Sequence, residues 1–344
     1  MQLQNRLAGT DSAVPVQPRS QGWTWAMRLF GLALLAFLLL RLDLHQVVAL
    51  LRQADPLPVL LALALIVPLI WLKTVRWQII LAAQGIRYGG RSALLAYFGS
   101  LFVGFLTPGR LGEFVKAFHV QRECGVSGAL AFAGVLADRL FDLLALLVTG
   151  ALALLALSSL AATDALGLAA ALVLLVVPFL LFLNPAVYGW VQRRAQRWRR
   201  FGERLFGAQG WLTEVRHSLR RLSPLALTAS LLLTALAYGV YYGQCYLLAL
   251  ALGLPANFLT VTYAVALGSL ITLLPISISG LGTREAVMIA YLGAAGVTSE
   301  AALGFSLLVF FTFYLGGGLI GLVAWLLKPA PWSQLRRTQA MREP

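Results

Sequence analysis

The sequence predicts an all-α polytopic membrane protein, with about six full transmembrane helices and two re-entrant, interrupted segments arranged as an inverted repeat. The first indication is composition: of 344 residues, 60% are hydrophobic and only 12% are charged, and the mean hydropathy is +0.81. A soluble domain of this size does not need so much apolar surface. The net charge of +14 favours a basic cytoplasmic face over nucleic-acid binding, because Lys and Arg collect in the cytoplasmic loops of such proteins.

The second indication is the recurrence of apolar runs. Six of them are long enough to cross about 30 Å of hydrocarbon at about 1.5 Å per residue. They are residues 24–42, 57–75, 128–157, 164–183, 224–252 and 300–327. Two shorter apolar segments, 92–106 and 258–274, each end in a break rich in Pro and Gly. Residues 1–23 are mostly polar and predict a disordered cytoplasmic tail, and the following run has no small-residue cleavage site, which indicates a retained span.

The loop charges predict how the chain is threaded. Residues 73–91 carry four cations and no acid, residues 184–223 carry nine arginines against two glutamates, and the tail 328–344 is basic. The positive-inside rule places these segments and both termini in the cytoplasm. That assignment holds only if the two short segments return to the side they came from. We therefore predict that 92–106 dips from the cytoplasmic side and 258–274 from the outside.

The resulting organisation has two membrane halves. The first half is 24–183, the second is 224–327, and residues 184–223 form a cytoplasmic linker between them. Within the linker, residues 187–206 fit a basic amphipathic helix that binds anionic lipids of the inner leaflet. No motif supports a nucleic-acid partner.

The third indication is the similarity of the two breaks. The stretches "GFLTPGRLGEFVKAF" at 104–118 and "LPISISGLGTREAVMIA" at 274–290 each combine a proline, glycines and an Arg–Glu combination. Interrupted segments that enter from opposite faces form substrate sites near the membrane midplane in inverted-repeat transporters. Non-helical backbone is tolerated there only where protein or water satisfies it, and the N–H groups at a helix start can bind an anion. In the alternative interpretation, Pro275 and the glycines simply end a helix, and Arg284 and Glu285 lie in solvent.

Charges also fall inside an apolar span. In "LADRLFDLLALL" (136–147), Asp138 and Asp142 share a helix face and Arg139 lies beside it. A central charge costs roughly 2.5–3.5 kcal/mol on the insertion scale, so we do not expect these charges to face lipid without a partner. The face either turns toward a cavity, with Arg139 available to a phosphate, or forms an ion-pair cluster that joins helices.

A second group of charged residues follows the Pro/Gly break after segment 92–106. Arg110, Glu113 and Lys116 are spaced at i, i+3 and i+6, which places them on one face if this segment is helical. The alternative is an ordinary solvated cytoplasmic helix. Together with Arg284, the two cations of this set make the total positive and favour an anionic ligand.

These motifs resemble a known family. In order and spacing, "GFLTPGRLGEFVKAF", "ADRLFD" and "LPISISGLGTREA" resemble the signature regions of the lysylphosphatidylglycerol synthase transmembrane-region family, over residues of about 30–330. The resemblance implies a lipid-flippase fold with inverted repeats. It implies binding roles for Arg110, Glu113, Asp138, Arg139, Asp142, Arg284 and Glu285, and a shaping role for Pro108, Gly109, Gly112, Ser277, Ser279, Gly280 and Gly282. Because no synthase domain follows before Pro344, we do not expect the chain to synthesise lysylphosphatidylglycerol.

The leading functional hypothesis is a flippase of the cytoplasmic (inner) membrane that moves a lipid with a phosphate-bearing headgroup, such as a phospholipid, a glycolipid or a polyprenyl-phosphate-linked lipid. Two alternatives remain open: an integral membrane glycosyl- or acyltransferase, and a small-solute or ion transporter. The sequence has no P-loop, nucleotide fingerprint, HExxH or paired cysteines, so no cofactor, metal or catalytic residue is predicted. The lipid, the direction, the energy coupling and the oligomeric state, a homo-oligomer included, stay open.

Overall fold

We describe the protein from a computed structural model, over residues 40, 44–105, 107–161, 189–190, 193–194, 217, 220–273 and 280–329, with backbone only at 108–110, 158–161 and 315. Every regular element in this part of the chain is helical. The α-helices are α1 (Leu44–Gln53), α2 (Pro56–Ala64), α3 (Ile66–Ala83), α4 (Gly90–Phe105), α5 (Val115–Cys124), α6 (Gly128–Ala161), α7 (Pro224–Ala251), α8 (Phe258–Leu273), α9 (Thr283–Ala294), α10 (Ser299–Phe310) and α11 (Gly317–Leu327). A 3₁₀ segment, Pro108–Phe114, joins α4 to α5, and a π-helical segment, Phe311–Gly316, joins α10 to α11.

Four helical stretches are long and apolar enough to cross a membrane: Pro56–Ala83, Gly128–Leu157, Pro224–Ala251 and Ser299–Leu327. They correspond to four of the six predicted spans, and the class of all-α polytopic membrane protein is confirmed. The other two predicted spans, 24–42 (apart from residue 40) and 164–183, lie outside the described residues. So do most of the linker, the N-terminal tail and the C-terminal tail beyond residue 329.

Local sequence explains where three of these spans begin. Asp55, Ser223 and Thr298 each cap the first turn with a side-chain oxygen that accepts a backbone N–H. Pro56 and Pro224 occupy the first helical position, where no backbone hydrogen bond is lost.

One short helix of each half, α4 in the first and α8 in the second, packs on a span of the other half. Gly99 of α4 lies against the backbone of Trp325 in α11, and a Cβ at Gly321 of α11 would lie 2.7 Å from the carbonyl oxygen of Phe98. In the same way, Gly150 of α6 lies directly under Leu270 of α8. Glycines at the contacts let the helix backbones approach closely, as is usual between membrane helices.

This contact predicts a large difference between two glycine substitutions. Gly321→Ala is expected to destabilise the protein by about 1–3 kcal/mol, because the new methyl group would meet a backbone oxygen that cannot move independently. Gly239→Ala in α7 is the matched control: its Cβ would meet nothing within 4 Å, so the gain in helix propensity dominates. Thermal unfolding in detergent measures both. Equal unfolding temperatures for the two variants would contradict the packing of α4 on α11.

The hairpin formed by α4, the 3₁₀ segment and α5, called the first hairpin below, has both of its ends at the end of the last span. The Nζ atom of Lys328 lies 2.7 Å from Oε1 of Glu123, 3.0 Å from the Tyr88 hydroxyl and 3.2 Å from the Ser92 carbonyl oxygen. Partial burial alone would raise the pKa of the Glu123 carboxyl, but the hydrogen bond and charge of Lys328 outweigh it and hold that pKa below its ordinary value. The start of α4 and the end of α5 therefore lie at the same end of the molecule.

One boundary differs from the sequence prediction. We expected the span 57–75 to give way to a cytoplasmic loop that contains Lys73 and Arg76, but α3 continues to Ala83 and both residues are inside it. Arg76 is fully buried. Hydropathy falls at Lys73, so the sequence alone predicts the end of a span there. The helix nevertheless continues, because carboxylates on α6 neutralise the charges of Lys73 and Arg76.

Candidate functional site

The carboxylates of α6 meet cations from α3. Arg76 donates through Nε to Oδ1 of Asp138 at 2.9 Å and through Nη2 to Oδ1 of Asp142, also at 2.9 Å. It also donates to the Thr234 hydroxyl of α7 at 2.9 Å. Asp138 and Asp142 share a helix face, as the spacing predicts, and one guanidinium joins both of them to α7.

Two lysines complete this side of the cluster. Lys73 Nζ lies 3.1 Å from Oδ1 of Asp142, and Lys116 Nζ lies 2.8 Å from Oδ2 of Asp138. The Lys116 ammonium is fully buried and stands over the ring of Tyr97, 3.7 Å from its centroid. A cation on an aromatic face gains from the ring quadrupole, most of all where water is excluded.

Arg139, the most exposed member of the cluster, pairs with the buried Glu113. Arg139 Nη1 lies 2.7 Å from Oε2 of Glu113, and Nη2 donates to the Tyr97 hydroxyl at 2.9 Å. The Arg139 side chain is 22% exposed, whereas that of Glu113 is 1% exposed. The burial of Glu113 and Lys116 rules out the solvated cytoplasmic helix as an interpretation of this segment.

We call these seven residues the charged cluster: Lys73, Arg76, Glu113, Lys116, Asp138, Arg139 and Asp142. Four cations face three carboxylates, which leaves a net charge of +1. Such a cluster is stable in a low-dielectric interior only when each charge has a partner. The excess charge of the cluster is therefore positive. Two of its cations have partly exposed side chains: Arg139 is 22% exposed and Lys73 is 16% exposed.

A second buried pair comes from the other half. Arg284 and Glu285 at the start of α9 form an ion pair, and neither residue is more than 3% exposed. Glu285 also accepts the Gly282 N–H at 2.6 Å, and Arg284 donates to the Ser306 hydroxyl at 3.2 Å. The alternative that places these two residues in solvent is therefore excluded.

The cluster and the second pair border one cavity of about 940 Å³, its open mouth included. Four charged side chains line it: Lys73, Glu113, Arg139 and Arg284. The remaining lining is largely apolar or aromatic and comes from both halves: Ile66, Leu69, Ile70, Tyr97, Leu101, Phe105, Leu146, Tyr238, Tyr241, Ser269, Thr272, Leu273, Val309, Phe313, Tyr314 and Gly317. Lys73 and Arg284 are each paired with a carboxylate that does not line the cavity, so the excess positive charge of the wall is the +1 of the charged cluster.

The cavity lies at the level of the middle of the spans. The midpoints of the four spans fall at or beside Ile70, Asp142, Tyr238 and Phe313. Three of these residues line the cavity, and Asp142 belongs to the charged cluster beside it. The last span is π-helical at this level, over Phe311–Gly316, and π-helical turns inside α-helices are frequent at functional sites.

Described residues beside both breaks border the cavity, since Glu113 and Arg284 line it. A Cβ at Gly112 would lie 2.8 Å from the Gly104 amide nitrogen, so the 3₁₀ segment touches the backbone of α4. Gly280 and Gly282 have φ angles of +78° and +84°, which only glycine adopts readily. The backbone of Pro108, Gly109 and Arg110 belongs to the 3₁₀ segment, but the Arg110 side chain lies outside the description, as do Pro275, Ser277 and Ser279.

Three residues of the candidate site were not predicted from the sequence: Lys73, Arg76 and Tyr97. A signal for the first two was present, because two aspartates in a span need cations at the same depth, and Lys73 and Arg76 lie three residues apart. Nothing in the sequence alone indicates Tyr97. Within the described parts of the chain, no three His, Cys, Asp or Glu side chains come together in a way that could hold a metal ion.

Fold and site together define a helical integral membrane protein whose cavity, at mid-span, has a cationic wall. Residues 25–321 match the sequence profile of the lysylphosphatidylglycerol synthase TM region, and the chain belongs to this family. It is also similar to a UPF0104 membrane protein of Methanothermobacter thermautotrophicus, with 27% identity over 289 residues, which cover 79% of this chain and 86% of the relative.

Proposed function

We propose that the protein is a flippase that moves a lipid with a phosphate-bearing headgroup between leaflets, and that the headgroup binds in the cavity against Arg139. The observation that carries this proposal is the wall of the cavity, where Lys73, Arg139 and Arg284 stand against the single carboxylate of Glu113. Guanidinium groups bind phosphate through paired, charge-assisted hydrogen bonds.

The lining supports a lipid rather than a fully polar solute. Leu69, Leu101 and Val309 lie on the same cavity wall as the charged groups. A site that is cationic on one side and apolar elsewhere suits a ligand with an anionic head and an apolar tail. Membership of the family is in accord with a lipid-related role.

The proposed threading places both termini in the cytoplasm and the protein in the inner membrane. The contacts of Lys328 with Ser92 and Glu123 support a re-entrant first hairpin, because its two ends lie at the same end of the last span. The packing of α4 on α11 and of α8 on α6 supports an inverted repeat, since each short helix contacts a span of the opposite half. Movement of α4 and α8 against the spans would then expose the cavity to each leaflet in turn.

Lipid analysis of the purified protein tests the proposal. After gentle detergent extraction, mass spectrometry of the co-purifying lipids should find a phosphate-bearing lipid enriched over its membrane abundance. We expect at least a tenfold loss of that lipid in Arg139→Ala/Arg284→Ala, since each charge-assisted hydrogen bond contributes about 1.5–3 kcal/mol. The control is Arg87→Ala, which removes an exposed arginine outside the cavity. Identical lipids in all three preparations would contradict the proposal and favour a small-solute transporter.

A further inference from the structure

We propose that Glu113 takes up a proton when an anion binds Arg139, so that the headgroup and a proton occupy the site together. This inference rests on the proposed function and deepens it, because it names the ion coupled to the same site. The inference follows from the contacts of the Glu113 carboxylate, from the packing of this side chain against α4 and from the charged groups around it.

Among the described residues, Arg139 is the one cation within ion-pair distance of the Glu113 carboxylate. Its Oε2 atom lies 2.7 Å from Arg139 Nη1, yet neither carboxylate oxygen accepts a geometrically sound hydrogen bond from any described residue. Arg139 therefore stabilises Glu113 through charge and proximity rather than through an aligned N–H. On the other side of the pair, Arg139 Nε also lacks an acceptor among the described residues.

The two partners differ in their freedom to move. Glu113 is wedged against α4: a Cβ at Gly104 would lie 2.5 Å from its Cγ atom. Arg139 is partly exposed and lines the cavity with a long side chain. An anion in the cavity would therefore draw the guanidinium away, while Glu113 stays where it is.

The other described cations near Glu113 are each paired with a different carboxylate. The described titratable or charged side chains around Glu113 come from five helices, two of which lie across the cavity. They are Tyr97 of α4, Lys116 of α5, Asp138, Arg139 and Asp142 of α6, and, across the cavity, Lys73 of α3 and Arg284 of α9. The residues of α8 that line the cavity are uncharged. Lys116 is bonded to Asp138, Lys73 to Asp142, and Arg284 to Glu285. Each other cation that faces Glu113 from the described residues is thus already paired with another carboxylate.

Proton uptake is then the remaining route to neutrality. An isolated buried carboxylate neutralises rather than stay charged in an apolar site. A proton from water would bind one oxygen of Glu113 as the anion binds Arg139, and it would leave when the anion does. The site then gains one negative and one positive charge, so its net charge is the same when it is loaded and when it is empty.

The other carboxylate of an Arg–Glu pair does not meet these conditions. Glu285 accepts the Gly282 N–H at 2.6 Å and the Ser306 hydroxyl at 3.3 Å in addition to its ion pair with Arg284. Those donors would stabilise its charge even without the arginine. The structure therefore assigns the proton to Glu113 and not to its counterpart in the second half.

Calorimetry tests the coupling. Purified protein in detergent is titrated with dihexanoyl phosphatidylglycerol, whose phosphodiester has no proton to exchange near neutral pH, in two buffers of different ionisation enthalpy. Wild type should take up roughly one proton per bound lipid, so its affinity should weaken as the pH rises. Glu113→Gln should bind without proton uptake, and the control Glu123→Gln, altered outside the cavity, should behave as wild type. Lipid binding by wild type without proton uptake overturns the coupling alone, and no binding overturns the proposed function with it.

Infrared spectroscopy tests the same carboxyl group without a lipid. Arg139→Ala removes the partner permanently, so its spectrum should show the carbonyl band of a protonated carboxylic acid. The band should be missing from Arg139→Ala/Glu113→Gln and present in Arg139→Ala/Glu123→Gln. Its absence from Arg139→Ala would overturn the proton acceptor, whatever the calorimetry shows.

Discussion

Arg76→Met is expected to destabilise the protein by about 3–5 kcal/mol, the usual effect of removing one partner from a buried ion pair. The guanidinium bonds to Asp138 and Asp142 and also reaches Thr234, so its loss leaves two carboxylates short of a donor and separates α3 and α6 from α7. Methionine fills part of the volume but supplies neither charge nor N–H. The decrease should appear as a lower thermal unfolding temperature of the purified protein in detergent.

Two comparisons isolate this effect. Arg87→Met removes an exposed arginine from the loop after α3 and should leave the unfolding temperature nearly unchanged. Adding Asp142→Asn to Arg76→Met should restore part of the loss, because one of the stranded charges is then gone. A change below about 1 kcal/mol in Arg76→Met, within the range of surface ion pairs, would mean that the cluster does not hold these helices together.

Arg139→Ala is expected to slow lipid translocation at least tenfold in reconstituted vesicles. Arg139 is the cation of the cluster most open to the cavity, and one lost charge-assisted hydrogen bond contributes about 1.5–3 kcal/mol. Arg139→Lys keeps the charge but not the planar pair of donors, so its rate should lie between those of Arg139→Ala and wild type. The assay follows chemical quenching of a fluorescent-tailed lipid with an intact phosphate headgroup as it reaches the outer leaflet.

The control for translocation is Arg87→Ala, which removes an exposed side chain that does not line the cavity. Thermal unfolding of each variant shows whether a lower rate reflects a lost fold. A folded Arg139→Ala that moves lipid at the wild-type rate would remove Arg139 from the binding site. It would then be an ion-pair partner that only joins helices.

Much of the architecture could be predicted from the sequence. Long apolar runs are read directly from hydropathy, so four predicted spans reappear, three of them to within one residue at each end, whereas the span predicted as 57–75 continues to Ala83. The aspartates of α6 were placed on one face because helical periodicity is independent of tertiary context. The Pro/Gly breaks indicated interrupted helices, and the described part of those breaks contains a 3₁₀ segment and two glycines with positive φ.

The rest depends on contacts between distant segments. Lys73 and Arg76 look like the start of a basic loop, because a hydropathy profile cannot know that Asp138 and Asp142 lie beside them in space. The same limit hid Tyr97, which contributes a hydroxyl and a ring face to charges from two other helices. The sequence also does not show that Glu285 accepts further hydrogen bonds beside its arginine whereas Glu113 accepts none from the described residues, since both motifs contain an arginine and a glutamate.

Photo-crosslinking from inside the cavity tests the central claim most directly. A photoreactive benzoylphenylalanine replaces Phe313, which lines the cavity, or Trp71, which is 54% exposed on the apolar surface of α3. After illumination in native membranes, mass spectrometry identifies the attached lipids. The account predicts that position 313 captures a phosphate-bearing lipid far above its membrane abundance, that Arg139→Ala abolishes this enrichment, and that position 71 captures bulk lipid. The same lipid mixture at both positions would contradict a headgroup site between the two halves.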